Sequence, residues 1–160
     1  KNKFRIHKSV KLILKKEKNM KLNEFPTLLK FAKKVSNNKY DILRFLIKCK
    51  KDNKKVVGLS APAKGMTLLN FSRIDNHFLD YVTEKSKLKI GRFTPGTNLE
   101  VFNDKKLLKT MPDFALILAW NFQREIIKNN FEYLKKGGKF IIPIPKLKII
   151  TKYNFKYEKN

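Results

Sequence analysis

The stretch Val56–Phe71, VVGLSAPAKGMTLLNF, constrains this chain more than any other. A short apolar, β-branched run ends in a turn of small residues carrying one lysine, and a longer apolar run follows. The first run suits a buried strand and the second a helix, so the stretch predicts a strand–loop–helix unit. Such a unit aims unpaired backbone N–H groups and a cation at whatever lies beyond the strand end. Gly58, Ser60, Ala61, Ala63 and Gly65 are small enough for a ligand to reach the backbone, and Lys64 adds a point charge suited to phosphate. A tight turn selected for packing would look the same, and the pattern alone does not separate the two. The loop is neither a P-loop, since GxxxxGK[ST] is absent, nor a G-x-G-x-x-G fingerprint, since six residues lie between Gly58 and Gly65.

Around this unit the chain alternates. Residues 1–18 hold one strand expectation, Val10–Leu14, in a basic context. A helix is expected from about Asn23–Phe25, with Pro26 tolerated in its first turn. Its apolar period runs through Leu28, Leu29, Ala32 and Val35 and resumes at Ile42, Leu43, Leu46 and Cys49, which fits one long helix or two in succession. Beyond Lys54, strands are expected at Val56–Leu59, Phe78–Val82, Phe114–Ala119 and Phe140–Ile144. Helices are expected at Lys64–Phe71, Asp104–Lys109 and Phe122–Leu134, the last ended by Gly137-Gly138. Ile90–Val101 reads as irregular or extended, and the tail from Lys146 as loosely ordered. Strands alternating with helices imply an α/β fold, a mostly parallel sheet with helices on its faces.

In an open sheet of this kind ligands bind beyond the carboxyl ends of the strands. Three loops qualify. The first is the loop at residues 60–65. The second follows Phe78–Val82, where Glu84 stands in the place of a ribose-binding acid or of an ordinary strand-end charge. The third begins Trp120-Asn121. Trp120 serves as a core anchor or a stacking platform, and Asn121 as a ligand contact or, preferentially, a helix cap. Glu125 reads as a surface or dipole-complementing carboxylate. Arg92, in Gly91–Thr97, is placed to meet a phosphate or simply solvent.

Composition removes several function classes. The net charge is +25, but it comes from 33 lysines against 5 arginines, scattered from Lys1 to Lys159 among 15 asparagines and 14 isoleucines. A base-reading surface would use more arginine. The reading is compositional bias that leaves a solvated basic surface attractive to anionic ligands, so nucleic acid is not the expected partner. No apolar run reaches the ~18 residues of a membrane span, and residues 1–18 lack a signal-peptide core. A cytoplasmic protein with no membrane partner is expected. Cys49 is the sole cysteine, which excludes an internal disulfide and a Cys-rich zinc site. Its apolar helical setting reads as core. His7 and His77 have no companions at metal-ligand spacing, so no metal site is expected. No nucleophile–base pair is visible, and no catalytic residue is assigned.

Four stretches in order give the chain a resemblance. Gly58–Asn70 is similar to a G-x-G-A-P-A-K-G stretch followed by T-L-L-N. Lys89–Thr97 matches K-x-G-R-x-x-P-G-T. Pro112–Asn121, with Glu125-Ile126 downstream, matches P-D-x-x-L-x-L-x-W-N and E-I. Gly137–Pro145 matches G-G-K-F-I-x-P-x-P. Together they resemble the C-terminal domain of the sugar C-methyltransferases, which use S-adenosylmethionine to methylate a carbon of a nucleotide-linked deoxysugar. Three positions depart from the family pattern: Ser60 stands where glycine is usual, Asn98 where histidine is common, and Glu84 where aspartate is usual.

The resemblance implies a Rossmann-like domain over residues 19–146, with 1–18 as the tail of a preceding methyltransferase domain and 147–160 as a basic tail. It implies a three-part parent, in which a Cys-rich zinc-binding region and an S-adenosylmethionine-binding domain precede this one. The methyl donor and the proton-abstracting residues belong to those parts, so this chain alone is expected to bind no cofactor and to be inactive. Its expected partner is a dTDP-type nucleotide sugar. The substrate side would comprise Gly58, Ser60, Ala61, Ala63, Lys64, Gly65, Arg92, Thr97, Trp120 and Asn121. A stand-alone module docking on a separate methyltransferase subunit, or a non-specific nucleic-acid binder, are the alternatives.

Overall fold

A computed structural model describes residues 6–155. The chain divides into two units, Lys1–Asn37 and Asn38–Asn160. In the first, α1 (Lys8–Asn19) starts at His7, whose Nδ1 accepts the Ser9 amide. A strand was expected at Val10–Leu14; the structure has helix there instead. A five-residue run that is apolar except for Lys11 is compatible with either state, and here a capped start and long, straight lysine side chains favour the helix. No residue of α1 is buried. Residues 1–5 of this expected domain tail lie outside the described residues.

The next helix, α2 (Phe25–Lys51), is continuous, so the single long helix is correct. Its latter half belongs to the second unit, where Ile42, Leu46 and Cys49 are buried. Burial raises the Cys49 thiol pKa, with Asp52 and Asp113 adding to the effect, which leaves the thiol a core residue rather than a nucleophile.

Six strands form one sheet: β1 (Val56–Leu59), β2 (Val82–Glu84), β3 (Val101–Asn103), β4 (Phe114–Ile117), β5 (Lys139–Ile142) and β6 (Lys148–Ile150), in the order β3-β2-β1-β4-β5-β6. The first five are parallel, and β6 runs antiparallel beside β5. The central strands are buried on both faces, as a covered parallel sheet requires. Alternation divides them. Val56, Leu116, Leu118 and Ile141 pack with α2 and with α3 (Ala63–Ser72). Val57, Leu59, Ala115, Ile117 and Phe140 pack on the other side against Leu107, Ile127, Tyr133 and Leu134. Those four come from α4 (Lys105–Thr110), α5 (Gln123–Asn129) and α6 (Phe131–Lys135).

Three expectations need correction. The second strand is Val82–Glu84, not Phe78–Val82. Asp75 binds the His77 amide through its side chain, and its carbonyl holds the amides of Phe78 and Leu79, so the chain is still turning at those residues. The expected helix at Phe122–Leu134 is a 3-10 turn (Trp120–Phe122) followed by α5 and α6. The break falls at Asn130, whose side chain donates to the Ile126 carbonyl and competes with the helical ladder. The tail from Lys146 is not loose throughout, because Lys148–Ile150 is β6; residues 156–160 lie outside the described residues. The segment read as irregular or extended is consistent with the structure: it runs into β3 at Val101, and Phe93 and Glu100 form an isolated antiparallel bridge within it.

Tyr133 ties the α6 side to the sheet. It is fully buried, and its hydroxyl donates to the Pro112 carbonyl at 2.7 Å. Burial pushes its pKa well above the usual tyrosine range. Tyr133→Phe should lower the unfolding free energy by about 1–2 kcal/mol, because it strands a buried carbonyl. Urea denaturation would show this as a lower midpoint at unchanged slope, and a midpoint equal to wild type would contradict it.

Candidate functional site

The sheet order reverses between β1 and β4, and the exits of those strands flank a crevice. In open α/β sheets this is where ligands bind. From β1 the chain passes through Ser60, whose φ of 70° is left-handed. Glycine adopts that conformation without strain, which gives a physical reason for glycine at this place in the family pattern. Ala61 is pinned from both sides. Its amide donates to Glu84 Oε2 at 2.9 Å, and its carbonyl accepts Lys89 Nζ at 2.8 Å. Glu84 also accepts the amides of Lys85 and Ser86. Burial opposes its charge, but those three amides and Lys89 outweigh burial and hold the carboxyl below its ordinary pKa.

Pro62 then starts α3 and is its N-cap, with no side-chain cap bond. Proline has no N–H, and the first amide to find a helical partner is Met66, which donates to Pro62 O. The amides of Ala63, Lys64 and Gly65 therefore form the open end of the helix. The Lys64 ammonium sits 5.1 Å from the Trp120 ring centroid and 5.5 Å from that of Phe122. This contact joins the β1 and β4 exits across the crevice. Trp120 is half-buried and packs against both apolar layers.

The other expected site residues take varied places. Gly58 and Gly65 are packing glycines. A Cβ at Gly65 would come within 2.7 Å of Leu118 Cβ, and one at Gly58 within 2.9 Å of Val82 Cγ2. Thr97 is buried and shares a 2.7 Å hydrogen bond with Thr94, whose hydroxyl accepts the Leu99 amide. It shapes the Pro95-Gly96 turn. Asn70 Nδ2 reaches that turn from α3, donating to Pro95 O at 3.0 Å, which explains why two separate motifs occur together. Arg92 is exposed, and its backbone carbonyl accepts the Val101 amide at the start of β3, away from the strand's carboxyl end. Asn121 is exposed in the 3-10 turn and caps nothing, since α5 starts after Phe122 without a side-chain cap.

A cavity of about 280 Å³ lies beside this loop, lined among others by Ser60, Glu84, Asp104, Phe122, Glu125 and Ile126. The sequence alone does not mark Asp104 as a site residue. Its signal was an acid directly after a short β-branched and aromatic run, which is β3. Burial raises its carboxyl pKa, although the nearby Thr83 hydroxyl and Lys85 offset part of the effect. Among the described residues no group of three or more His, Cys, Asp or Glu side chains is gathered as for a metal ion. No described helix is long and apolar enough to cross a membrane.

Fold and crevice together define a doubly wound α/β domain with its sheet order reversing between β1 and β4. Residues 1–145 match the family described as the C-methyltransferase C-terminal domain, and the chain belongs to that family. It is also similar to the C-methyltransferase NovU of Streptomyces niveus, with 36% identity over 100 residues, which is 62% of this chain and 24% of that protein. The match thus spans about a quarter of the relative's length.

Proposed function

We propose that this domain binds the nucleotide-sugar substrate of an S-adenosylmethionine-dependent C-methyltransferase that methylates a carbon of a keto-deoxysugar. The observation that carries the proposal is the open end of α3 at the reversal point of the sheet. The free amides of Ala63, Lys64 and Gly65 and the Lys64 ammonium converge there on one side of the crevice. That combination suits a pyrophosphate. In this reading Trp120 and Asn121 shape the far wall, and Arg92 adds to the positive field that draws the anion in.

The S-adenosylmethionine and the groups that remove the proton beside the ketone belong to the domains preceding this one, and residues 1–18 lead out of them. S-adenosylmethionine, bound there, would supply the electrophilic methyl group. The part played by residues 19–146 is orientation, which can account for much of a rate enhancement. The amide of Ala61 is held by Glu84 and so positions the loop instead of contacting phosphate.

The test is titration calorimetry of the full chain with dTDP-glucose. Lys64→Ala should weaken binding about tenfold, the loss of one charge-assisted contact. No binding by the wild-type chain, or equal affinity for both proteins, would overturn the proposal.

A further inference from the structure

The first of the two units leaves its apolar side chains in solvent. In α1, Val10, Ile13 and Leu14 recur at helical spacing, and Glu17, the helix's single acid, continues the same row. Lys8, Lys15 and Lys16 fall on the opposite side. In the first turns of α2, Phe25, Leu28, Leu29 and Ala32 make a second row. Ile13, Leu14, Phe25, Leu28 and Leu29 are each more than half exposed, so neither helix covers the other. Alone in water a helix as short as α1 is marginal, and most helices in proteins are held by packing an apolar face. Contiguous exposed apolar side chains rimmed by charge mark a contact surface.

We infer that these two rows are the docking face for the part of a C-methyltransferase that lies outside this domain. The surface received there is apolar, with acidic groups toward the lysines and a cation opposite Glu17. Both helices lie within residues 1–145, the stretch that matches the family, so the rows belong to the shared domain and not to an appended segment. That family is described as a C-terminal domain, and the match to NovU spans only 24% of that protein. What such enzymes have beyond this domain is therefore the remainder of the methyltransferase. Charge disfavours the other occupants. Residues 6–35 carry nine lysines and two glutamates, a net charge of +7, which repels a second copy. An anionic lipid surface would accept the lysines, but the apolar row it must take up contains Glu17. Family membership carries this docking face, not the phosphate site at α3, so either can fail without the other.

The test titrates the full chain with NovU lacking its own counterpart of residues 1–145. The wild-type chain should bind, and Ile13→Gln and Leu29→Gln should each weaken binding about tenfold, the loss of one buried aliphatic side chain. Glutamine is a good helix former, so both helices should persist in circular dichroism. Leu88 is exposed outside the unit, and Leu88→Gln should leave the affinity at the wild-type value. No binding by the wild-type chain, or equal affinity for Ile13→Gln, Leu29→Gln and wild type, overturns the docking face. A wild-type dimer in sedimentation that Ile13→Gln dissociates would give the rows to a second copy and also overturns it. So does binding to vesicles of phosphatidylcholine and phosphatidylglycerol in equal parts that the two variants abolish, since the rows would then belong to a lipid surface. The dTDP-glucose titration with Lys64→Ala reads the phosphate site separately and is untouched by any of these outcomes.

Discussion

Gly138→Ala should destabilise the domain by about 3 kcal/mol, near the upper end of what overpacking a core produces. Gly138 is buried, and an added Cβ would fall within the van der Waals envelope of the Tyr133 ring. The ring has nowhere to retreat. It is wholly buried, lies 5.1 Å from the Phe140 ring centroid, and is anchored through its hydroxyl to Pro112. The backbone must therefore shift, and β5 begins at the next residue, paired in register with β4. Chemical denaturation with a fitted slope is the measurement. A loss under about 1 kcal/mol would mean that the ring is not fixed as described.

Gly96→Ala is the second large effect, at about 2–3 kcal/mol. The residue has φ 75°, where an L side chain is strained by about 1–2 kcal/mol. Its Cβ would also displace the Asn70 side chain, whose bond to Pro95 O is worth about 1 kcal/mol. Gly91 separates the two contributions. It has φ 77° but open space where its Cβ would go, so Gly91→Ala should show the strain alone. Equal losses at the two positions would remove Asn70 from the account.

Local patterns made some elements readable and left others hidden. Val56–Leu59 and the helix after it were legible because a short β-branched run and an apolar run each have a period of their own, with a proline between them. β6 was not, because Lys148–Ile150 has only three residues and is a strand by virtue of its pairing with Ile142, Ile141 and Phe140. Residues 10–14 are ambiguous because strand and helix both accommodate VKLIL, and nothing in those five residues states whether a sheet is at hand. At the crevice, the loop around Lys64 was legible because it is contiguous. Asp104 and Phe122 were not, since 20 and more residues separate each from Glu84 or Ser60, and only the parallel order of β1 to β4 brings their exits to one edge.

The double hold on Ala61 bears on how a ligand would bind. With its amide on Glu84 and its carbonyl on Lys89, the loop at the β1 exit is given its shape when the domain folds. In the proposed reading, a ligand arriving at α3 would meet the usual loss of translational and rotational freedom but no ordering of this loop, the advantage of a preorganised site. The same arrangement makes recognition intolerant of reshaping. A substrate that needed residues 60–61 to move would first have to break two charge-assisted hydrogen bonds, so under the proposed reading the crevice would discriminate by shape.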